Sequence, residues 1–363
     1  MALSPVFTIT PVVATALMAI EADRQVIMEL PITVELLAGL RYSAQLAATH
    51  YSTQIEGNRL TQAQVEHVLA GAHFPGRERD EAEVRNYYKA LEYVESLAAQ
   101  DVPIGEETVQ RIHALVMTGK PSPDPYRDGQ NVIRESASGA IVYLPPEAPD
   151  VPGLMADLFT WITGQLGRRE LPAPIVAAVT HYQYATIHPY YDGNGRTARL
   201  LATRVLHRAG YGLKGIYSLD QHYARDLAAY YKALTVGPSH NYYLGRAEAD
   251  ITGFVDFFCR SMADALGAVR ARAAEAAAVG AAADDSATLR RLDPRKRLLL
   301  ELFHSSSTAT TAQMASYLGL SARTLNSLAP RWIEEGFLEI ADASRRSRSY
   351  RLTPPYERLA ARP

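Results

Sequence analysis

His188-Pro189-Tyr190-Tyr191-Asp192-Gly193-Asn194-Gly195-Arg196-Thr197-Ala198-Arg199 is the stretch on which the reading of this 363-residue chain turns. Proline disfavours the α conformation in the residue before it, so a helix arriving from Ile175 must stop at His188. The imidazole is thereby placed on a loop, with an ordinary pKa suited to taking a proton near neutrality. Gly193-Asn194-Gly195 permits a tight turn in which successive N–H groups face one point. A helix opens directly after it, adding unpaired N–H groups and the positive end of its dipole. Arg196 and Arg199, three apart, are neighbours on that helix. Asp192 offers one carboxylate beside the anion site, which together with phosphate oxygens and water suits Mg2+. Two guanidinium forks near a nest of amides suit a polyphosphate better than a lone phosphate. Singly, a histidine before proline, a Gly-Asn-Gly turn and a pair of arginines are more often structural. In this order, at a loop-to-helix junction, they predict a nucleotide site.

Outward from this stretch most of the chain reads as helix. Apolar residues return at three- and four-residue steps in Leu36–Ile55, Ala82–Leu97, Glu106–Met117, Leu154–Leu166, Ile175–Ile187, Arg196–Arg208, Leu219–Leu234 and Ile251–Ala278. Gly57-Asn58, Gly119-Lys120-Pro121, Gly210 and Gly237-Pro238 are the stop signals between them. The exception is Asn131–Pro146, where Val132-Ile133, Ser136-Ala137-Ser138-Gly139 and Ile141-Val142-Tyr143 spell a β-hairpin. A lone hairpin in a helical protein is marginal by itself and is often a functional flap. The alanine-rich segment Val269–Thr288 carries almost no large apolar residue and reads as a helix running out into a linker. After it come helices over Arg295–Phe303, Thr311–Leu318 and Ser321–Glu335, then strands at Phe337–Ile340 and Ser349–Leu352, a winged-helix order. The expected organisation is an all-α chain with a small β-wing. A helical region spans 1–80, a catalytic core 81–268, a linker 269–289 and the winged helix 290–363.

Composition narrows the classes. Apolar residues are 47% and charged residues 21% of the chain, ordinary for a globular protein, and the formal net charge of −2 gives no general pull toward nucleic acid or membrane. The single cysteine, Cys259, lies in an apolar helical pattern and reads as a buried hydrophobe. The apolar run Pro11–Ile20 has no basic segment before it and is too short to cross a bilayer. No membrane span or export signal is expected, and a reducing cytoplasm fits the cysteine usage.

The His188–Arg199 segment resembles the signature of the Fic family, HPFx(D/E)GNGRxxR, departing only at the third position, where Tyr190 stands for phenylalanine. That ring normally packs inward, so the added hydroxyl needs a partner. The similarity extends over about Arg85–Thr235, through Pro125-Tyr126-Arg127, the hairpin exit Tyr143-Leu144-Pro145-Pro146 and the helix Val151–Trp161. The resemblance implies a Fic-type helical core that moves AMP from ATP onto a Tyr, Thr or Ser hydroxyl of a protein, including itself. By it, His188 deprotonates the hydroxyl and Asp192 holds Mg2+ against the α- and β-phosphates. The nucleotide set is Gly193, Asn194, Gly195, Arg196, Thr197, Ala198, Arg199 and Tyr231. Within it the Gly193–Gly195 backbone, with the Asn194 side chain, orients the α-phosphate, the two arginines take the β- and γ-phosphates, and Tyr231, rather than Tyr230, walls the adenine. The flap around Val142 and Tyr143 docks the target segment by strand-like pairing.

A second motif lies at Ser52-Thr53-Gln54-Ile55-Glu56-Gly57-Asn58. Gly57-Asn58 is a helix stop, and Thr61 with Gln64 forms a capping box for the next helix. Glu56 therefore stands at the negative end of a helix dipole, disfavoured by roughly 0.3–1 kcal/mol unless a cation is near. The stretch resembles the Fic inhibitory motif (S/T)xxxE(G/N). It implies that Glu56 pairs with Arg199 in the place of the γ-phosphate, with Ser52 one turn earlier anchoring the arrangement.

Two alternatives stay open at this level. The same site could remove AMP from a modified protein, with Glu56 positioning water. Or the core could sense nucleotide for a DNA-binding regulator, since 13 basic and 7 acidic residues lie between Arg290 and Pro363. Arg345, Arg346, Arg348 and Arg351 would contact phosphates from the wing, and Arg323, Asn326 and Arg331 would read bases. Winged helices also bind protein. A homodimer is the default assembly.

Overall fold

The computed structural model describes residues 3–30, 34–100, 102–134, 139, 141–280, 292–342, 344 and 348–360. The chain falls into two compact units, one of residues 1–28 and 42–270, the other of 29–41 and 271–363. No helix among the described residues is long and apolar enough to cross a membrane.

The first unit is helical, in chain order α1 (Pro11–Glu29), α2 (Val34–Ile55, from Tyr42 on), α3 (Gln62–Leu69), α4 (Glu78–Ser96), α5 (Glu106–Thr118), α6 (Val151–Arg168), α7 (Ala173–Ile187), α8 (Asn194–Arg208), α9 (Asp220–Arg225), α10 (Leu227–Leu234) and α11 (Thr252–Gly280, to Arg270). Between α5 and α6 stands a short antiparallel hairpin, β1 (Ile133–Arg134) with β2 (Ile141–Tyr143), in the register Ile133 to Tyr143 and Arg134 to Ile141. The predicted turn residues Ser136, Ala137 and Ser138 lie outside the described residues. A helix apolar on all sides belongs at the centre of a bundle. In α7 every residue but Ala173 and Ala185 is buried. It packs most closely on α8 and α6, so the loop between α7 and α8 is fixed at both ends by core.

Local chemistry sets the helix ends. Thr61 and Gln64 form the expected capping box of α3. Gly119 closes α5 in the left-handed conformation, where a side chain would be strained. Two readings need correction. The helix expected over Leu219–Leu234 is two helices, because Asp226 leaves helical geometry (φ −136°, ψ 75°) and its carboxylate caps α10 at Ala229 N, 2.9 Å away. The run Pro11–Ile20, weighed above only as a membrane candidate, begins α1. Val13, Ala16, Ile20, Asp23 and Ile27 form its buried stripe, and Thr10 Oγ1 accepts from Val13 N at its start. Cys259 is buried on α11, and burial pushes its thiol up to about 12.

The second unit has the element order of a winged helix: α12 (Pro294–Ser305), β3 (Ala309–Thr310), α13 (Thr311–Tyr317), α14 (Ala322–Glu334), β4 (Leu338–Asp342), β5 (Ser349–Leu352) and α15 (Pro354–Ala360). The strands pair antiparallel in the order β3-β5-β4. Leu299, Leu300, Leu325, Trp332 and Phe337 fill its core.

Candidate active site

The site is built at the junction of α7 and α8. His188 is the C-cap of α7 with left-handed geometry (φ 52°, ψ 59°), a conformation costing a non-glycine residue on the order of 1–3 kcal/mol. Buried Arg127 holds it there. The Arg127 Nε donates to His188 O at 2.9 Å, its backbone N to Pro189 O at 2.9 Å, Nη1 to Gly129 O at 3.0 Å, and Nη2 to Pro146 O at the hairpin exit. On the imidazole, Nδ1 lies 3.3 Å from Ala185 O. A carbonyl only accepts, so Nδ1 carries the proton and Nε2 keeps its lone pair. Burial lowers the His188 pKa to about 4, so the ring is neutral throughout the neutral range.

The turn that follows is braced from inside. Asn194, 2% exposed, accepts from Tyr190 N at 3.0 Å and donates to Tyr190 O at 2.8 Å. Its side chain therefore closes the loop with its carbonyl oxygen and one of its N–H groups. Tyr190 is stacked on His113 with centroids 3.4 Å apart, and its hydroxyl donates to Asp124 O at 3.4 Å, the partner the substitution required. His113 Nε2 in turn reaches Asp192 O at 3.0 Å. Gly193 has φ 75°, and a Cβ there would stand 2.6 Å from Met117 Sδ. The positive φ favours glycine, and any side chain would also have to displace Met117. Thr197 and Ala198 are fully buried, and Thr197 N donates to Gly193 O at 3.0 Å.

The mouth of α8 gathers the charge. The Asp192 side chain is 59% exposed, its Oδ1 accepting from Gly193 N at 2.6 Å and pairing with Arg196 Nη2 at 3.3 Å. One accessible carboxylate beside a phosphate cradle is the donor set expected for Mg2+, which would draw its remaining ligands from phosphates and water. Arg196 and Arg199 are each 3% exposed. Arg196 Nε and Arg199 Nη1 are buried donors without a hydrogen-bond partner, a gap that phosphate oxygens would fill.

The cradle already holds an anion. Glu56 Oε1 accepts from Arg199 Nη2 at 3.0 Å and lies so close over Gly195 that a Cβ there would collide with it. Arg199 Nε donates to Ser52 Oγ and Nη2 to Ser52 O, both at 2.8 Å. Burial, the largest influence, acts to lower the Arg199 pKa, but Glu56, Tyr230, Asp220 and Tyr87 together more than offset it and raise it. Glu56 stands where α2 ends in a Schellman turn, with Asn58 N donating to Thr53 O and Gly57 N to Gln54 O. Asn58, buried, ties this end to α4 through Asp80 O at 2.9 Å and Glu83 Oε2 at 3.2 Å. Tyr231 is 47% exposed and its hydroxyl donates to Ile55 O at 3.0 Å, whereas Tyr230 is buried against His181 and Tyr223. Tyr230 lies against Arg199 from the core side, and Tyr231 is the more exposed of the two rings.

Ile141 and Val142 are exposed. Tyr143 is turned inward, its hydroxyl donating to Thr186 O at 2.7 Å, so it anchors the hairpin instead of presenting a docking face. The loop after α10 clasps β2, with Leu144 N donating to His240 O at 2.8 Å and Tyr242 N to Leu144 O at 3.0 Å. Tyr143→Phe leaves the Thr186 carbonyl buried without its donor and is expected to cost about 1–3 kcal/mol, read as a lowered denaturant midpoint.

Three residues were missed from sequence: Arg127, His113 and Asp220. Asp220, 5% exposed at the start of α9, stands with its Oδ1 3.1 Å from Arg199 Nε. A carboxylate at an inward position of an apolar helical pattern was the signal that could have found it. In the second unit, Arg331 pairs with Glu335 at 3.0 Å and Arg351 with Glu339. Arg345 and Arg346 lie outside the described residues.

Burial also lowers His181 to about 3 and His207 to about 4. Below its ordinary value of about 6.5 each of these histidines takes up a proton in the unfolded chain but not in the folded one. Stability is therefore expected to fall as pH drops from 6.5 toward 4, by on the order of 2 kcal/mol per histidine at pH 5, His188 included. Denaturant midpoints that match at pH 7.5 and pH 5 would contradict this.

Residues 103–206 match the family model described as Fic/DOC family. Protein adenylyltransferase Fic of Drosophila melanogaster is 31% identical over 164 residues, 45% of this chain and 32% of the relative. That of Drosophila grimshawi is 32% identical over 164 residues, 45% of this chain and 33% of the relative. The match thus spans about a third of the length of these relatives. Among solved structures, a Fic family protein from Desulfovibrio desulfuricans G20 aligns with a TM-score of 0.59 at 25% identity, over 97% of this chain and 98% of that one. Fic-1 from C. elegans shares the fold, with a TM-score of 0.55 at 21% identity over 74% of this chain and 73% of that one.

Proposed function

We propose that this protein transfers AMP from ATP to a Tyr, Thr or Ser hydroxyl of a protein target and of itself, with Glu56 as a removable brake, a reading supported by the match of residues 103–206 to the Fic/DOC family model. The observation that carries the reading is the seat of Glu56: a carboxylate of the chain itself occupies an amide-and-guanidinium cradle at the mouth of α8. A cradle that attracts one anion so closely suits the terminal phosphates of a nucleotide.

His188 Nε2 takes the proton of the target hydroxyl, whose oxygen bonds to the α-phosphorus as the bond from that phosphorus to the β-phosphate oxygen breaks. Pyrophosphate leaves with the bonding pair, and Arg196 and Arg199 stabilise its growing charge. Mg2+, when bound at Asp192, neutralises the α- and β-phosphates. The amides of Asn194 and Gly195 orient the transferred phosphate, and Tyr231 offers its half-exposed ring to the adenine. Positioning and electrostatics supply the rate, with no covalent enzyme intermediate. The exposed Ile141 and Val142 edge receives the target segment.

Intact-mass analysis after incubation with ATP and Mg2+ tests the proposal, comparing wild type with Glu56→Gly and His188→Ala. One or more added AMP groups on Glu56→Gly and none on His188→Ala is the expected result. A Glu56→Gly protein that never gains AMP overturns self-modification and the brake together.

A further inference from the structure

All three hydrogen bonds that Arg199 makes from Nε and Nη2 go to α2: two to Ser52 and one to Glu56. Whatever withdraws the end of α2 therefore removes them together. A guanidinium buried as deeply as this one, with 2% of its side chain exposed, cannot be left without a counter-charge. The two acids beside it differ in kind. The Glu56 side chain is 30% exposed and sits on the last residue before a left-handed glycine. The Asp220 side chain is 7% exposed and sits in the core on α9. Asp220 Oδ1 stands 3.1 Å from Arg199 Nε, yet it accepts no hydrogen bond there, because that N–H is directed at Ser52 Oγ. A buried carboxylate oxygen beside an arginine, with the arginine's proton turned elsewhere, is an acceptor in waiting.

We propose that Asp220 is the fixed counter-ion of Arg199 and its second berth, a positioning residue that takes over the Nε–H when Ser52 and Glu56 withdraw and so keeps Nη1 and Nη2 facing the mouth of α8. This deepens the reading of the site as a nucleotide cradle and rests on it. With Glu56 as the sole counter-ion, release of the brake would strand a buried charge until nucleotide arrived. With Asp220 in place, the emptied cradle stays paired and formed.

The test is a thermodynamic cycle on the full chain without nucleotide, using Glu56→Gln and Asp220→Asn, which preserve shape. Each single substitution leaves one acid on Arg199, whereas the double leaves none. The double variant is expected to lose at least tenfold more in its folded-to-unfolded ratio than the product of the two singles. In an Arg199→Met background, where no cation needs pairing, Asp220→Asn is expected to lose its cost or to stabilise. Additive effects in the first cycle, or an unchanged cost of Asp220→Asn when Arg199 is absent, overturn the proposal. Should the Glu56→Gln, Asp220→Asn double not fold, the Arg199→Met comparison decides alone. Mg-ATP is expected to raise the unfolding midpoint of the double more than that of wild type, by supplying the missing anion. Non-additivity without any ATP effect upholds the pairing of Asp220 with Arg199, overturns the claim that the pairing serves nucleotide, and sinks the nucleotide reading of the cradle.

Discussion

Glu56→Gly is expected to raise the rate of AMP transfer by about two orders of magnitude. The argument is one of occupancy. The carboxylate lies over Gly195 and on Arg199 Nη2, the ground a terminal phosphate would need. A like-charged group held there must be displaced before the triphosphate seats fully, and breaking a partly buried ion pair costs on the order of 3–5 kcal/mol. Part of that is regained from the incoming phosphate, which leaves roughly 3 kcal/mol, or about a hundredfold, as the brake. Glycine removes the acid without adding bulk and sits comfortably at a helix end followed by a left-handed residue. Initial rates of self-modification with ATP and Mg2+, wild type against Glu56→Gly, measure it. Equal rates would mean that the carboxylate does not limit the reaction.

His188→Ala in the Glu56→Gly background is expected to lower the transfer rate by about 10²–10⁴, the span a positioned general base supplies. The Nδ1 contact to Ala185 O fixes the tautomer and the lowered pKa keeps Nε2 unprotonated. The fold should survive the change, since the backbone at this position is held by Arg127 through carbonyl groups that alanine retains. Nucleotide affinity should remain within a few-fold of the parent, because the imidazole is absent from the phosphate cradle. A variant that keeps more than a tenth of the parental rate would remove His188 from proton transfer.

Local sequence carried the helical core and the loop-to-helix junction because each rests on short-range physics. Proline after His188, glycine at 193 and the Thr61 to Gln64 capping box act within four residues. The pairing of Glu56 with Arg199 came from a resemblance, since nothing in the spacing of two residues 143 positions apart implies contact. Arg127, His113 and Asp220 were hidden for the same reason: an arginine joins the site through carbonyls, a histidine through ring stacking, an aspartate through a core position on α9. Asn194 carries a second task that its place in the motif does not announce. Its side chain reads as a phosphate ligand in one dimension, yet the turn folds it back on Tyr190. The break at Asp226 was missed because an apolar period continues across it while one carboxylate starts a new helix.

Arg127 ties the short hairpin to the loop after α7 through a single side chain. One guanidinium bonds the carbonyls of His188 and Gly129 and, on the far side, that of Pro146, so the hairpin exit and His188 share one anchor. Anyone redirecting the protein to a new substrate by transplanting the hairpin inherits this constraint. The graft must deliver a carbonyl where Pro146 now offers one, or retargeting will misalign the chemistry even when recognition succeeds.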